Sequence, residues 1–263
     1  MNKKLLTSLA AVFILTNANA HYQMLYTEET ALEMAEKIKL NLVFTHPFSG
    51  AYTMNMNGVE EIYVINKKKK KDLTKDLKEV VYKDIHSDGK GYELTYKARR
   101  MGDHLFVMTP KPYYDETTKN YIQQITKTIV NVAGVPSDWD TDLGLKAEIV
   151  PLTKPYAIWA GSSFTGIVKS DKKVVPYAEV EVKYLNRDIN TQTNTLGKPQ
   201  IKAPQNAFVN MVIKTNANGE FTFAIPKEGT WGFKAINIGT TKEYKGKKLE
   251  QDAVLWVQAK PMI

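Results

Sequence analysis

The chain has 263 residues, with 36 Lys and Arg against 28 Asp and Glu, a formal charge of +8 and no cysteine. That length allows two ordinary domains. The missing thiols exclude disulfides, thiolate zinc sites and cysteine nucleophiles, and they suit an oxidising compartment. The basic balance comes with no nucleic-acid motif, so it reads as solubility and no nucleic-acid partner is expected.

Residues 1–20 have the three parts of a secretory signal. Asn2-Lys3-Lys4 is the positive start, Leu5 to Leu15 the apolar run, and Ala18-Asn19-Ala20 a small-residue cleavage site. The apolar run is shorter than the ~20 residues a spanning helix needs. An uncleaved anchor is the alternative, but cleavage after Ala20 is the expectation, which makes the protein periplasmic and not membrane-spanning. With Lys3 and Lys4 removed the charge falls from +8 to +6. The mature chain then begins at His21, whose free α-amine and imidazole form a ready nitrogen chelate.

Beyond His21, Glu28 to Lys37 is the one helical-looking segment, read as a short helix or irregular lead-in. Short alternating runs follow, each a strand candidate. Lys39 to Phe44 leads into Thr45-His46-Pro47-Phe48, where Pro47 favours extended geometry at His46 and places it at a strand end or turn. Ile62 to Ile65 is a strand, and Lys67 to Lys71 is a solvated hairpin loop. Tyr92 to Lys97 and His104 to Met108 flank a Met101-Gly102-Asp103 turn, so His104 opens a strand. Tyr121 to Val132 is β-branched-rich and reads as strand. Asp138 to Asp142 resembles the start of a calcium loop, but Leu143 replaces the bending glycine and Ile149 the closing glutamate, so it is taken as a surface loop.

Gly144 to Tyr156, stiffened by Pro151 and Pro155, is expected to join two domains, 21–153 and 154–263. Strands follow at Ser163 to Val168 and Ala178 to Tyr184, the latter with Ala178, Val180, Val182 and Tyr184 on one face. The polar stretch Asn186 to Gln205 reads as a long mobile loop. Val209 to Lys214 and Glu220 to Ile225 flank Asn216-Ala217-Asn218-Gly219, a strong hairpin signal. Trp231 to Ala235 and Ala253 to Val257 complete the set. So many short strands between turns make an all-β protein of two β-sandwich domains of immunoglobulin or transthyretin type.

Four histidines are available: His21, His46, His86 and His104. His86, in the polar turn Asp84 to Gly89, reads as a solvated loop residue. Taken singly, His46 and His104 are more often structural than ligating; the company of an N-terminal histidine shifts that balance. His21, His46 and His104 would form an all-nitrogen site suited to Ni(II) or Cu(II). Met24 and Met54 are soft donors but read first as core residues. Gly161 to Gly166 is not a nucleophile elbow, and no phosphate-binding glycine loop is present, so no enzyme is expected.

Several stretches together resemble a family. They are His21-Tyr22-Gln23-Met24, Thr45-His46-Pro47-Phe48 with Gly50, Gly102-Asp103-His104-Leu105-Phe106, Pro110 to Tyr114, Glu148 to Tyr156 and Trp159-Ala160-Gly161, then Val175 to Val182, Thr215 to Phe221 and Gly229 to Phe233. On these the chain resembles the DUF4198 family, a periplasmic component associated with nickel and cobalt uptake transporters. The second-half motifs are shared with transthyretin-like and carboxypeptidase-regulatory β-domains generally. The resemblance implies a protein that captures Ni(II), or else Co(II), and supports its delivery to the membrane component of a metal-uptake system. The Asn186 to Gln205 insertion and the lysine-rich stretch depart from the pattern. Two other readings stand beside this one. One is a copper histidine-brace protein, either a Cu(II) carrier or an oxidative enzyme. The other is a metal-free β-sandwich adhesion or structural module.

Overall fold

The computed structural model describes residues 21–50 and 52–262, and they are almost wholly β. The expected signal segment lies outside the described residues. One antiparallel sheet places Tyr22–Tyr26, Glu36–Thr45, Gly89–Ala98 and Lys78–Tyr82 side by side in that order. A much longer sheet runs Met211–Lys214, Glu179–Tyr184, Gly229–Ala235, Lys247–Lys260, Asn120–Val132, Gly102–Pro110, Val59–Asn66. A third, small sheet pairs Ser163–Ser170 with Glu148–Pro151 and Glu220–Ala224.

The long sheet belongs to both halves. Asn120–Val132 pairs parallel with Lys247–Lys260, Tyr121 opposite Leu249 and Thr128 opposite Trp256. Pairing also crosses the expected 153/154 boundary, because Glu148–Pro151 joins Ser163–Ser170. Each face of the long sheet then carries a core. Ile38, Leu40, Leu42, Phe44, Phe106, Met108 and Val130 fill the space under the first sheet. Val180, Val182, Phe164, Phe221, Phe233, Leu255 and Val257 fill the space under the small one. Tyr22, Met24, Tyr82, Leu185, Leu196 and Trp256 form a third cluster where the halves meet.

Most alternating runs become strands with the expected faces; the departures come from contacts distant in sequence. Glu28 to Lys37 is not helical: Ala31–Leu32 pairs parallel with Asn131–Val132, and Thr30 N–H donates to Gln258 Oε1 at 3.1 Å. That tertiary pairing outweighs local propensity. Lys67 and Lys68 alone form the turn, at φ 50° and 62°, and Lys69–Asp72 is an exposed edge strand. Asp138 is bound within the protein: its carboxylate accepts the N–H groups of Lys67 and Lys68 at 2.6 and 3.2 Å.

The Asn216-to-Gly219 turn does not close a hairpin ladder. Its flanking strands part, Met211–Lys214 to the long sheet and Glu220–Ala224 to the small one. The face of Glu179–Tyr184 opposite Val180 and Val182 is buried too: Glu181 is 4% exposed and pairs with Lys234 at 2.8 Å. Alternation identifies one buried face and is silent about a second layer packed on the other. The Asn186 to Gln205 stretch is no free loop. Ile189–Asn190 and Thr195–Leu196 form a small hairpin, and Leu196 N–H donates to the Lys83 carbonyl at the edge of the first sheet.

Candidate metal centre

Register brings His21 and His46 together. Tyr22 pairs with Thr45 in an antiparallel ladder, so His21 and His46 sit opposite one another at the next step. Side chains alternate along a strand, so His21 shares a face with Leu25, and His46 with Leu42 and Phe44. Both rings therefore project towards the space between the first sheet and the long one. Their centroids lie 4.0 Å apart, edge to face, with the Phe44 ring 5.5 Å from His21.

The backbone at His21 is fixed by one side chain of the long sheet. Gln124 accepts the Gln23 N–H at 2.7 Å and donates to the His21 carbonyl at 3.0 Å, imitating a neighbouring strand. Trp256 Nε1–H donates to the Gln23 carbonyl at 2.9 Å. Met24 points to the opposite face of its strand, into the cluster with Trp256, and cannot join the pair. Met54 packs against the core under the first sheet.

The electrostatics keep both imidazoles neutral. His21 is lowered to about 4, by burial and then the Lys234 charge, with Asp115 opposing. His46 is lowered to about 3, by burial, then His21 and the charges of Lys183, Arg187 and Lys234. Neutral imidazole is the form that binds metals. The nearby cations are compensated, Lys234 by Glu181 and Arg187 by Asp84. His46 Nε2 is buried and has no hydrogen-bond partner among the described residues, and the same is true of Tyr113 Oη and Asp115 Oδ2. The Tyr113 ring packs at a tilt against Phe44, centroids 4.7 Å apart, and its hydroxyl pKa is pushed far up by burial and then by the Asp252 and Asp115 charges. Buried polar atoms are normally paired, so an orphaned imidazole nitrogen beside a second imidazole is a candidate position for a ligand.

His104 does not join them. It is 1% exposed, on the strand that pairs with Asn120–Val132, opposite Val130. Its Nε2 lies 2.9 Å from the Arg100 carbonyl and its Nδ1 3.0 Å from the Tyr96 hydroxyl. A carbonyl only accepts, so Nε2 carries the proton and the Tyr96 O–H donates to Nδ1. Both nitrogens are used, and the groove above is lined by Lys71, Lys75, Lys97, Arg99 and Arg100, a poor setting for a divalent cation. The expected third ligand is thus a structural histidine. His86 is exposed, as expected, with Tyr52 between it and His46 at ring distances of 6.4 and 6.3 Å.

Among the described residues, no group of three or more His, Asp or Glu side chains could hold a metal ion. The side chains offer two imidazoles, and any third strong donor must come from the main chain. Sequence reasoning missed Gln124, Tyr113, Asp115 and Lys234, whose placement depends on pairing between distant strands.

The model for a domain of unknown function, DUF4198, matches residues 18–239. The chain belongs to the DUF4198 family. No curated protein matches it. Among solved structures, the D0-D1 domain of intimin is similar at 12% identity over 89% of this chain and 96% of that one, TM-score 0.22. The adhesin InvE of Yersinia pseudotuberculosis is similar at 13% identity over 90% of this chain and 58% of that one, TM-score 0.22. Such distant likeness says nothing about the histidine pair. No helix among the described residues is long and apolar enough to cross a membrane.

Proposed function

We propose that this DUF4198 protein is an exported, periplasmic binder of a divalent transition metal, Ni(II) first, with Co(II) and Cu(II) as the alternatives. Its ligands are the α-amine and a ring nitrogen of His21 together with Nε2 of His46. In this reading the metal is cargo, held without a catalytic step and passed to the membrane component of an uptake system. The carrying observation is the buried His46 Nε2, which has no partner among the described residues and lies beside the His21 ring. Two neutral nitrogens plus an amine form the nitrogen-rich donor set that Ni(II) and Cu(II) favour. Because the side chains supply two donors, cleavage after Ala20 becomes part of the site: before it, the third nitrogen is an amide. Tyr113 Oη, also without a partner among the described residues, keeps the copper histidine-brace alternative in view.

The test is calorimetric titration of Ni(II), Co(II) and Cu(II) into protein exported and processed to begin at His21. One tight equivalent, lost when a single residue precedes His21, is the expected result. No binding of any of the three would leave the metal-free module as the better reading.

A further inference from the structure

The Asn186 to Gln205 arm of the second half grips the turn that carries His46. Asn186 N–H donates to the Pro47 carbonyl at 3.1 Å, and its Nδ2 donates to the Phe48 carbonyl at 3.1 Å and to the Ile201 carbonyl at 2.6 Å. Arg187 reaches deeper. Its Nη1 and Nη2 donate to the two Asp84 oxygens at 2.7 and 3.0 Å, and Nη2 also donates to Thr45 Oγ1 at 2.6 Å. Both side chains of that ion pair are fully buried. Thr53, opposite Thr45 in the ladder, donates to Asp84 at 2.6 Å.

The arm also rests on the turn's backbone. Gly50, at φ +60°, donates to the His46 carbonyl at 3.1 Å, and a Cβ there would lie 2.8 Å from Pro199 Cγ. The turn is thus bonded on either side of His46, at Thr45 and at Pro47 and Phe48. A buried ion pair contributes little net stability over an apolar replacement of the same volume, but it fixes geometry sharply. A bidentate guanidinium–carboxylate pair is the most directional form of it.

We propose that Arg187, Asp84 and Asn186 are positioning residues for the metal centre. The second half supplies an arm that sets the backbone around His46 and so the direction of its imidazole. This rests on the reading of His21 and His46 as ligands. It gives the Asn186 to Gln205 insertion a role: no metal contact, yet control over how well the two imidazoles meet one ion.

The experiment uses protein processed to begin at His21, with Ni(II) titration and the electron paramagnetic resonance spectrum of added Cu(II) as readouts. Arg187→Lys keeps the charge and loses the fork, Asp84→Asn weakens the pair, and Asn186→Ala is the mildest change. Glu148→Gln breaks another buried pair, Lys127 with Glu148 at 2.8 Å, away from the turn, and serves as the control for loss of a buried ion pair. The expected result is about tenfold weaker Ni(II) binding and an altered Cu(II) hyperfine splitting in the first three, as for supporting residues around other metal ligands. The control should retain the wild-type affinity and spectrum. Folded Arg187→Lys and Asn186→Ala proteins with wild-type affinity and spectrum would overturn the proposal. If the wild type binds neither metal, the proposed function falls separately, and hydrogen exchange at the Gly50 amide decides here. Faster exchange in Asn186→Ala supports the grip; unchanged exchange overturns it.

Discussion

The His21–His46 pair and His104 are two histidine environments in one half of the protein, and both are cut off from most solvent. Burial lowers the pKa in both. At His104 each ring nitrogen has a partner, and the imidazole acts as a strut between Tyr96 and the Arg100 carbonyl. At His46 one nitrogen has none among the described residues, and the next ring is another imidazole. Burial does not tell the two environments apart; the partners of the nitrogens do.

That contrast is most severely tested by blocking the amine. Protein carrying one extra residue before His21 should lose Ni(II) affinity by on the order of 100-fold or more, since a chelate ring is destroyed. Calorimetry measures it, and undiminished affinity would remove the amine from the site. Next in size, His46→Ala should abolish tight binding by the same measurement, whereas His104→Ala should leave it within about twofold. His104→Ala should instead cost about 1–3 kcal/mol in urea unfolding, because the Arg100 carbonyl and Tyr96 hydroxyl lose their partner. Equal losses of metal affinity at the two positions would erase the distinction.

A smaller effect is the response to acid. In the unfolded chain both imidazoles take up protons near their ordinary value of about 6.5; in the folded protein they resist until about 4 for His21 and about 3 for His46. The unfolded state therefore binds more protons between those values, and stability is complete above pH 6.5 and lost as pH falls towards 4. Asp252 acts in the opposite direction: its folded carboxyl is raised to about 6 by burial, so it gains stability as pH falls through 6. Without metal, the double variant His21→Gln, His46→Gln should lose less of its urea midpoint between pH 7 and pH 5 than the wild type. A wild-type midpoint as flat as the variant's would contradict the lowered values. The smallest effect belongs to His86→Ala, which should change neither affinity nor stability.

The all-β class and most strand faces were legible because alternation at Leu40, Leu42 and Phe44, or at Val180 and Val182, directly reports a buried face. Half of the candidate site was legible too, since a histidine after a small-residue motif and one before a proline both signal chain ends and turns. What selects His46 over His104 was not legible. Register, which places Tyr22 opposite Thr45, arises from whole-strand packing. The partners that occupy His104 come from the preceding strand and turn, and no spacing rule distinguishes them from empty space. The arm of Asn186 and Arg187 escaped for the same reason: a polar, insertion-like stretch reads as solvated until its charged groups find buried partners far away.

The strand Lys247–Lys260 lies between Gly229–Ala235 and Asn120–Val132 in the middle of the long sheet. A chain made from its N-terminus leaves Asn120–Val132 with an open edge until that late segment arrives. Closing a parallel pair over so long a separation is slow, because the loop entropy is lost before the contacts form. The long sheet is therefore completed only once almost the whole chain is available. The same delay leaves an unpaired edge open to wrong partners for as long as it lasts.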